Sequence, residues 1–331
     1  MAKLVQVQKK VALLHRYPKD RIKETNAAFP YLEAKGIDVL TFKKFERLSK
    51  YGKFWKSLAW LVKAPMLVAN KHYDVIYCDD SYPFYPALVK LISPKSKVVI
   101  RLGDLHLMYY YKGWAYRFLH FFEKLTWDMV DEIIVISDEM AKHVGRGCKV
   151  VLDPVDPKDF DNPDTFKSLK PTVMFHGTLT KNKNIDLINQ AAMLMPNTNF
   201  WIVGDGPDRE RLQIIQMHNV IFFGWQPFEN IKNYINICHI GVALRSNNPG
   251  NEYVVTSPFL QYGVMGKPCL VTRRKVFGDY KWQFTGVDEM VDKIDYLLKH
   301  PEEGNKLRKY VLKYHDAKRI AEEIWQILES V

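Results

Sequence analysis

Three turns in the second half of the chain carry residue types suited to holding a phosphorylated ligand. In the first, His176-Gly177-Thr178 is followed by Lys181, Lys183 and Asn184. The second, Gly204-Asp205-Gly206-Pro207, follows the next apolar run. In the third, residues 247–272, a polar loop with Glu252 runs into Thr256-Ser257-Pro258, then Gln261, Gly266-Lys267-Pro268 and Cys269-Leu270-Val271-Thr272. Glycine lets a backbone approach a ligand closely, and lysine neutralises phosphate. Ser or Thr before Pro predicts a helix start, because the hydroxyl caps and Pro fits the first turn. Such a start offers unpaired N–H groups and partial positive charge to a phosphate. Arg245, at the end of another apolar run, is either a further cation for the ligand or a solvated loop arginine. Each turn alone is commonplace, but three on one sheet edge favour a phosphorylated ligand over a purely structural edge.

The first half offers acids and a basic, aromatic surface. Cys78-Asp79-Asp80-Ser81 and Arg101-Leu102-Gly103-Asp104-Leu105-His106 both end apolar runs. Asp104 is a candidate general base or the cap of a turn. Asp79, Asp80 and His106 are candidate ligand contacts, for an acceptor if the chain transfers a group, with a solvated strand end as the alternative for the Asp pair. Asp79-Asp80 lacks the spacing of a metal-binding Asp-x-Asp, and no metal site is expected. Residues 42–72 hold eight Lys or Arg and one acid, Glu46. Drawn as a helix, Leu48, Tyr51, Trp55, Leu58 and Val62 share one face, with Lys43, Arg47, Lys50, Lys53 and Lys56 across the other. That pattern predicts either an interfacial anchor for anionic lipid or a helix packed on a sheet. Nine of the 21 residues over 107–127 are aromatic, suiting an interface, a lipid groove or plain packing.

These residues need a scaffold, and the chain is long enough to supply one. Its 331 residues, 47% hydrophobic, predict a soluble protein of two ordinary domains. A net charge of +11 points to an anionic partner. Cys78, Cys148, Cys238 and Cys269 form no Cys-x-x-Cys pair, so reduced, mostly buried thiols and a cytosolic setting are expected. No apolar run is long enough for a signal peptide or a bilayer span. Apolar runs at 10–15, 37–41, 74–78, 97–101, 132–136 and 149–152 alternate with helical spacing. The pattern restarts at 172–176, 200–203, 220–223, 240–244 and 269–272, after a Pro- and Asp-rich linker at 153–171. Continuously apolar strands alternating with helices predict parallel sheets covered on both faces. Ligands of such sheets bind at the carboxyl ends of the strands.

The second half resembles the nucleotide-binding domain of GT-B glycosyltransferases, particularly the large retaining family called group 1. The resemblance rests on residues 177–184, on Val203-Gly-Asp-Gly-Pro-x-Arg-x-x-Leu212, on Asn219-Val-Ile-Phe-Phe-Gly-Trp225 and on Arg319-Ile-Ala-Glu-Glu323 after Tyr314-His315-Asp316. Ile134-Val-Ile-Ser137 and Asp153-Pro-Val-Asp156, ending at Phe160, add to it. It implies an α/β chain of two doubly wound, Rossmann-like parallel-sheet domains facing across a cleft. Residues 1–160 would bind the acceptor and 161–314 the donor, and the helix of 315–331 would cross back to the first domain.

Aligned on Gly266-Lys267-Pro268, the family's two glutamates fall on Tyr253, beside Glu252, and on Gln261. Its phosphate-binding Arg falls on Thr178, while the matching Lys is Lys183. Related enzymes often place His-Asp after the fourth strand; here that pair is Gly103-Asp104. The resemblance implies sugar transfer from a nucleotide diphosphate sugar, without metal or other cofactor. The donor would be held by Gly177, Thr178, Lys183, Gly204, Asp205, Arg245, Thr256, Ser257 and Gln261, with Asp104 and Glu252 at the reaction. A lipid-linked or glycan acceptor and a cytoplasmic, peripheral position on an anionic membrane are expected. The departures at Thr178 and Gln261 leave a binding or scaffold protein with a decayed site as the alternative. Stacked aromatics and lysines leave single-stranded nucleic acid as a further one, though no nucleic-acid motif is present.

Overall fold

A computed structural model describes residues 9–17, 22, 26–42, 52–79, 83–161, 163 and 168–331, with only the backbone for 52–57. The chain divides into two compact units, Met1–Pro154 with Ala317–Val331, and Val155–Asp316.

In the first unit, β1 (Val11–His15), β2 (Asp38–Thr41), β3 (Val75–Cys78), β4 (Lys97–Leu102), β5 (Glu132–Val135) and β6 (Lys149–Val150) form one parallel sheet in the order β2-β1-β3-β4-β5-β6. Its described helices are α1 (Phe29–Glu33), α2 (Gly52–Val68), α3 (Tyr85–Ile92), α4 (His106–Tyr110), α5 (Gly113–Met129) and α6 (Asp138–Val144). α6 has the capping its sequence promises: the Ser137 hydroxyl accepts from Met140 N–H, and Gly145 closes the helix in the left-handed region. The unit is completed by α13 (Ala317–Ser330) at the far end of the chain. Its Ile320, Ile324, Trp325 and Leu328 are buried with Leu13, Leu32 and Val75, and it packs on α1.

The second unit holds β7 (Thr172–His176), β8 (Asn199–Val203), β9 (Val220–Gly224), β10 (Ile240–Ala243), β11 (Cys269–Thr272) and β12 (Gln283–Phe284), parallel in the order β12-β11-β10-β7-β8-β9. Helices α7 (Asp186–Leu194), α8 (Arg209–Ile214), α9 (Phe228–Ile237), α10 (Ser257–Val264), α11 (Val287–Lys299) and α12 (Glu303–Tyr314) alternate with the strands. All five residues of β7 are buried because alternate side chains enter different cores. Val173 and Phe175 pack with Ile188 and Ile294, while Met174 packs with Ile235 and Leu260. This two-sided burial makes the strand read as a continuous apolar run.

The boundary between the units follows Pro154, within the linker expected over 153–171. Val155, Asp156 and Phe160 are already buried in the second unit, and Val155 N–H donates to the His315 carbonyl at 2.8 Å. β12 and α4 are too short to show a period in the sequence. Cys78, Cys238 and Cys269 are buried free thiols, and Cys148 is half-buried.

Candidate functional site

In the second unit the strand order reverses between β7 and β10, the place where doubly wound sheets bind ligands. The central side chain there is His176, the last residue of β7. Its Nδ1 lies 2.8 Å from the Tyr262 hydroxyl, and its Nε2 lies 2.6 Å from Oε1 of Gln261. The same hydroxyl donates to the Met174 carbonyl at 2.7 Å.

Proton counting then orders the whole group. Gln261 Oε1 only accepts, so Nε2 carries the imidazole proton and donates it to Gln261, while Nδ1 and the Met174 carbonyl share the Tyr262 hydroxyl proton. Burial, the largest influence, lowers the pKa of His176 to about 4, with Lys183 pushing the same way against Gln261. The ring is therefore neutral. With its Oε1 taken by His176, Gln261 keeps its NH2, a donor, for another partner. The unfolded imidazole titrates near 6.5 and the folded one near 4, so below pH 6.5 the unfolded state takes up a proton that the folded state refuses. Stability is full above pH 6.5 and falls as pH drops towards 4, by about 3 kcal/mol across that window. Urea midpoints between pH 7 and 4 should show that slope, and His176→Phe should flatten it. An unchanged acid slope in the variant would assign the loss to other groups.

The three turns meet, though two glycines have a different job from the one expected. A Cβ on Gly204 would lie 2.0 Å from the Gly177 oxygen, and one on Gly206 would lie 2.3 Å from the Leu179 oxygen. Their missing side chains let one loop pack on the other, so close approach to a ligand is not what requires Gly204. Asp205 accepts from Gly206 N–H at 2.7 Å and pairs with Arg209 at 2.9 Å, holding its own turn. The β7 loop is also tied to the β10 loop. The Asn182 side-chain oxygen accepts from the Ser246 hydroxyl at 2.7 Å and from buried Asn251 at 3.1 Å. Thr178 is exposed, and Lys183 is half-buried.

Arg274, which sequence reasoning passed over, staples the third turn. It is 9% exposed and donates to the Arg245 carbonyl at 2.7 Å and the Ser246 carbonyl at 2.5 Å, and also to the Arg273 carbonyl. Glu252 sits 3.8 Å from its Nε and accepts from Lys275 N–H at 2.9 Å. Burial lowers the Arg274 pKa; Glu252 opposes this and nearby Arg245 adds to it. Arg245 and Glu252, both on the loop after β10, are thus held at one place by Arg274 from the loop after β11. The only hint of this in the sequence is an Arg pair directly after an apolar strand. α10 does begin at Ser257, with Pro258 in its first turn, but Thr256 makes no side-chain cap bond. Its hydroxyl is buried without a hydrogen-bond partner among the described residues, while Ser257 is exposed.

In the first unit Asp79 is not a free strand-end acid. It is 5% exposed and accepts from Asn26 at 2.6 Å and Arg101 at 3.3 Å. Arg101 also reaches Asp153 at 2.5 Å. Burial drives the Asp153 pKa up to about 6, with Arg101 pulling it down and Asp104 and Asp79 pushing it up. Asp79 therefore belongs to a buried ion network and is not the solvated strand end given as its alternative. Half-buried Asp104 follows β4 beside that network, and His106 opens α4. Asp80, Lys43, Arg47 and Lys50 lie outside the described residues. Lys53, Trp55 and Lys56 lie on α2, where only the backbone is described. Among the described residues no helix is long and apolar enough to cross a membrane.

Residues 157–314 match the family described as Glycosyl transferases group 1. No curated protein sequence matches the chain. Among solved structures, sucrose-phosphate synthase of Thermosynechococcus elongatus is similar over 98% of this chain and 99% of its own, with 14% identity and a TM-score of 0.73. HepE of Anabaena, in complex with UDP and glucose, is similar over 98% of this chain and 100% of its own, with 14% identity and a TM-score of 0.69. WaaB, a lipopolysaccharide outer core galactosyltransferase, is similar over 97% and 100%, with 14% identity and a TM-score of 0.65. The second unit is thus similar to the group 1 glycosyl transferases, and the chain as a whole shares the GT-B fold of these structures.

Proposed function

We propose that the chain transfers a sugar from a nucleotide diphosphate donor to an acceptor hydroxyl, lipid-linked or on a growing glycan, at a membrane surface. The observation that carries this reading is the convergence of Gln261 and Lys183 on His176 where the second unit's strand order reverses. The Gln261 NH2 can donate to a ribose hydroxyl oxygen, in place of the glutamate that the family uses there. Lys183, Arg245, Thr178 and the N–H groups at Thr256-Ser257 face the diphosphate in this proposal, and Glu252 faces the sugar. The second unit binds the donor and the first binds the acceptor, through His106 and Asp80. Asp104 takes the acceptor's proton as its oxygen bonds to the anomeric carbon, and the bond to the nucleotide diphosphate breaks. Fixed cations and helix-terminal N–H groups stabilise the leaving diphosphate, so neither metal nor other cofactor is invoked.

HepE, solved with UDP and glucose, supports a nucleotide-sugar donor, and WaaB, which acts on lipopolysaccharide, supports a lipid-linked acceptor. The basic segment of Lys43, Arg47, Lys50, Lys53, Trp55 and Lys56 is the proposed contact with anionic lipid, on the cytoplasmic face. Calorimetry with UDP-, GDP- and ADP-sugars tests the reading. One donor should bind, and Lys183→Ala should weaken it about a hundredfold. Binding of no donor would sink the enzyme reading and leave a scaffold with a decayed site, the alternative raised by Thr178 and Gln261.

A further inference from the structure

α5 is built inside out. Its buried side carries Glu123, Thr126 and Trp127, with the Glu123 carboxylate 2.8 Å from His120 Nδ1. Its outward side carries Trp114, Phe118, Phe121, Phe122 and Leu125, with Trp114 80% and Phe121 59% exposed. At 3.6 residues per turn these fall on one arc of the helix. A helix facing only water has the opposite arrangement.

The neighbouring helices continue the surface. α3 packs between α2 and α5. It exposes Leu91 and Ile92, while α2 exposes Val62 and Met66. An apolar area of this kind marks an interaction site. Charge decides what covers it. Lys112 precedes the helix, and Arg117 and Lys124 flank the aromatic arc, all exposed. Asp128 is the only exposed acid on α5, since Glu123 is turned inward. A two-fold contact with a second copy would set these cations near their own counterparts. A lipid surface instead offers phosphates beside hydrocarbon, in the order the helix presents cations beside aromatics. Tyr110, Tyr111 and Trp114 at its leading end are residue types that favour that boundary.

We propose that the outward faces of α2, α3 and α5 form one surface that inserts into the headgroup–acyl boundary of an anionic bilayer. This rests on the membrane-surface reading above and replaces purely electrostatic attachment by the basic segment with shallow insertion.

Flotation with mixed phosphatidylcholine–phosphatidylglycerol vesicles at raised salt tests it, because salt screens the cations and leaves insertion. The wild-type chain should stay bound. Phe118→Ser with Phe121→Ser should lower the partition coefficient about a hundredfold. Circular dichroism and donor hydrolysis in solution should be unchanged, which separates failure of the face from failure of the transferase reading. Brominated acyl chains should quench tryptophan emission in the wild type and less in Trp114→Phe, a readout that does not need the serine variant to fold. Complete release of the wild type by salt, equal flotation of the two forms, or a concentration-dependent dimer abolished by the serine variant without vesicle binding would each overturn the proposal.

Discussion

Gly241→Ala is expected to destabilise the second unit by more than about 3 kcal/mol and to abolish donor binding with it. A Cβ at this position would lie 2.2 Å from Cγ of Tyr262 and 2.3 to 2.5 Å from its Cδ atoms. Neither side can yield cheaply. The Gly241 backbone is fixed in β10, where its N–H donates to the Pro268 carbonyl at 2.9 Å and it pairs with Met174 and Cys269. The Tyr262 ring is fully buried and packs edge-on to His176 with centroids 4.9 Å apart. Its hydroxyl also bonds to His176 Nδ1, so displacing the ring disturbs His176 and misplaces Gln261 one residue away. Gly286→Ala is the control, because its Cβ would meet nothing within 4 Å. Urea unfolding and donor calorimetry on both variants check this; a Gly241→Ala midpoint matching the control would show that Tyr262 can move aside.

Arg274→Met should cost about 3 kcal/mol, although it leaves most of the buried stem in place. The lost guanidinium donates to three carbonyls, those of Arg245, Ser246 and Arg273, which would be left without that donor. Unpaired buried acceptors carry the full cost of their desolvation. The loop bearing Arg245 and Glu252 should loosen, and donor affinity should fall together with stability. Glu252→Gln should be milder, under about 1 kcal/mol, because its carboxylate is 3.8 Å from Arg274 and its bond to Lys275 N–H can be kept by an amide oxygen. Equal midpoints for Arg274→Met and the wild type would refute the staple.

The sequence was most legible where both faces of an element are buried. β3, β4, β7 and β10 read as continuous apolar runs because each sits inside a covered sheet, and their order along the chain followed directly. The motif Val203–Leu212 was also plain, but its parts do structural work that motif reading credited to the ligand. Asp205 holds its own turn, and Gly204 makes room for Gly177. Asn219, another motif residue, donates to the carbonyls of Ala192, Met195 and Thr198 around the end of α7, which fixes the fold and not a donor. Asp79 looked available because a strand end is usually wet. Arg101, from the next strand in the sheet, arrives beside it and takes it out of solvent.

By itself the sequence determined two parallel α/β units, the three turns at strand ends and the candidates Lys183, Gln261 and Asp104. These follow from periodicity, turn chemistry and local motifs, all carried by residues near one another in the chain. Tertiary structure alone decided that His176 is neutral, which atom of Gln261 is offered outward, that Arg274 holds the loop of Glu252, and that α5 turns its aromatics away from the core. Each depends on partners 85 residues away, as for Gln261 and His176, or on a neighbouring helix or strand. Burial, proton order and the side a helix presents are properties of those contacts, and no local run of residues encodes them.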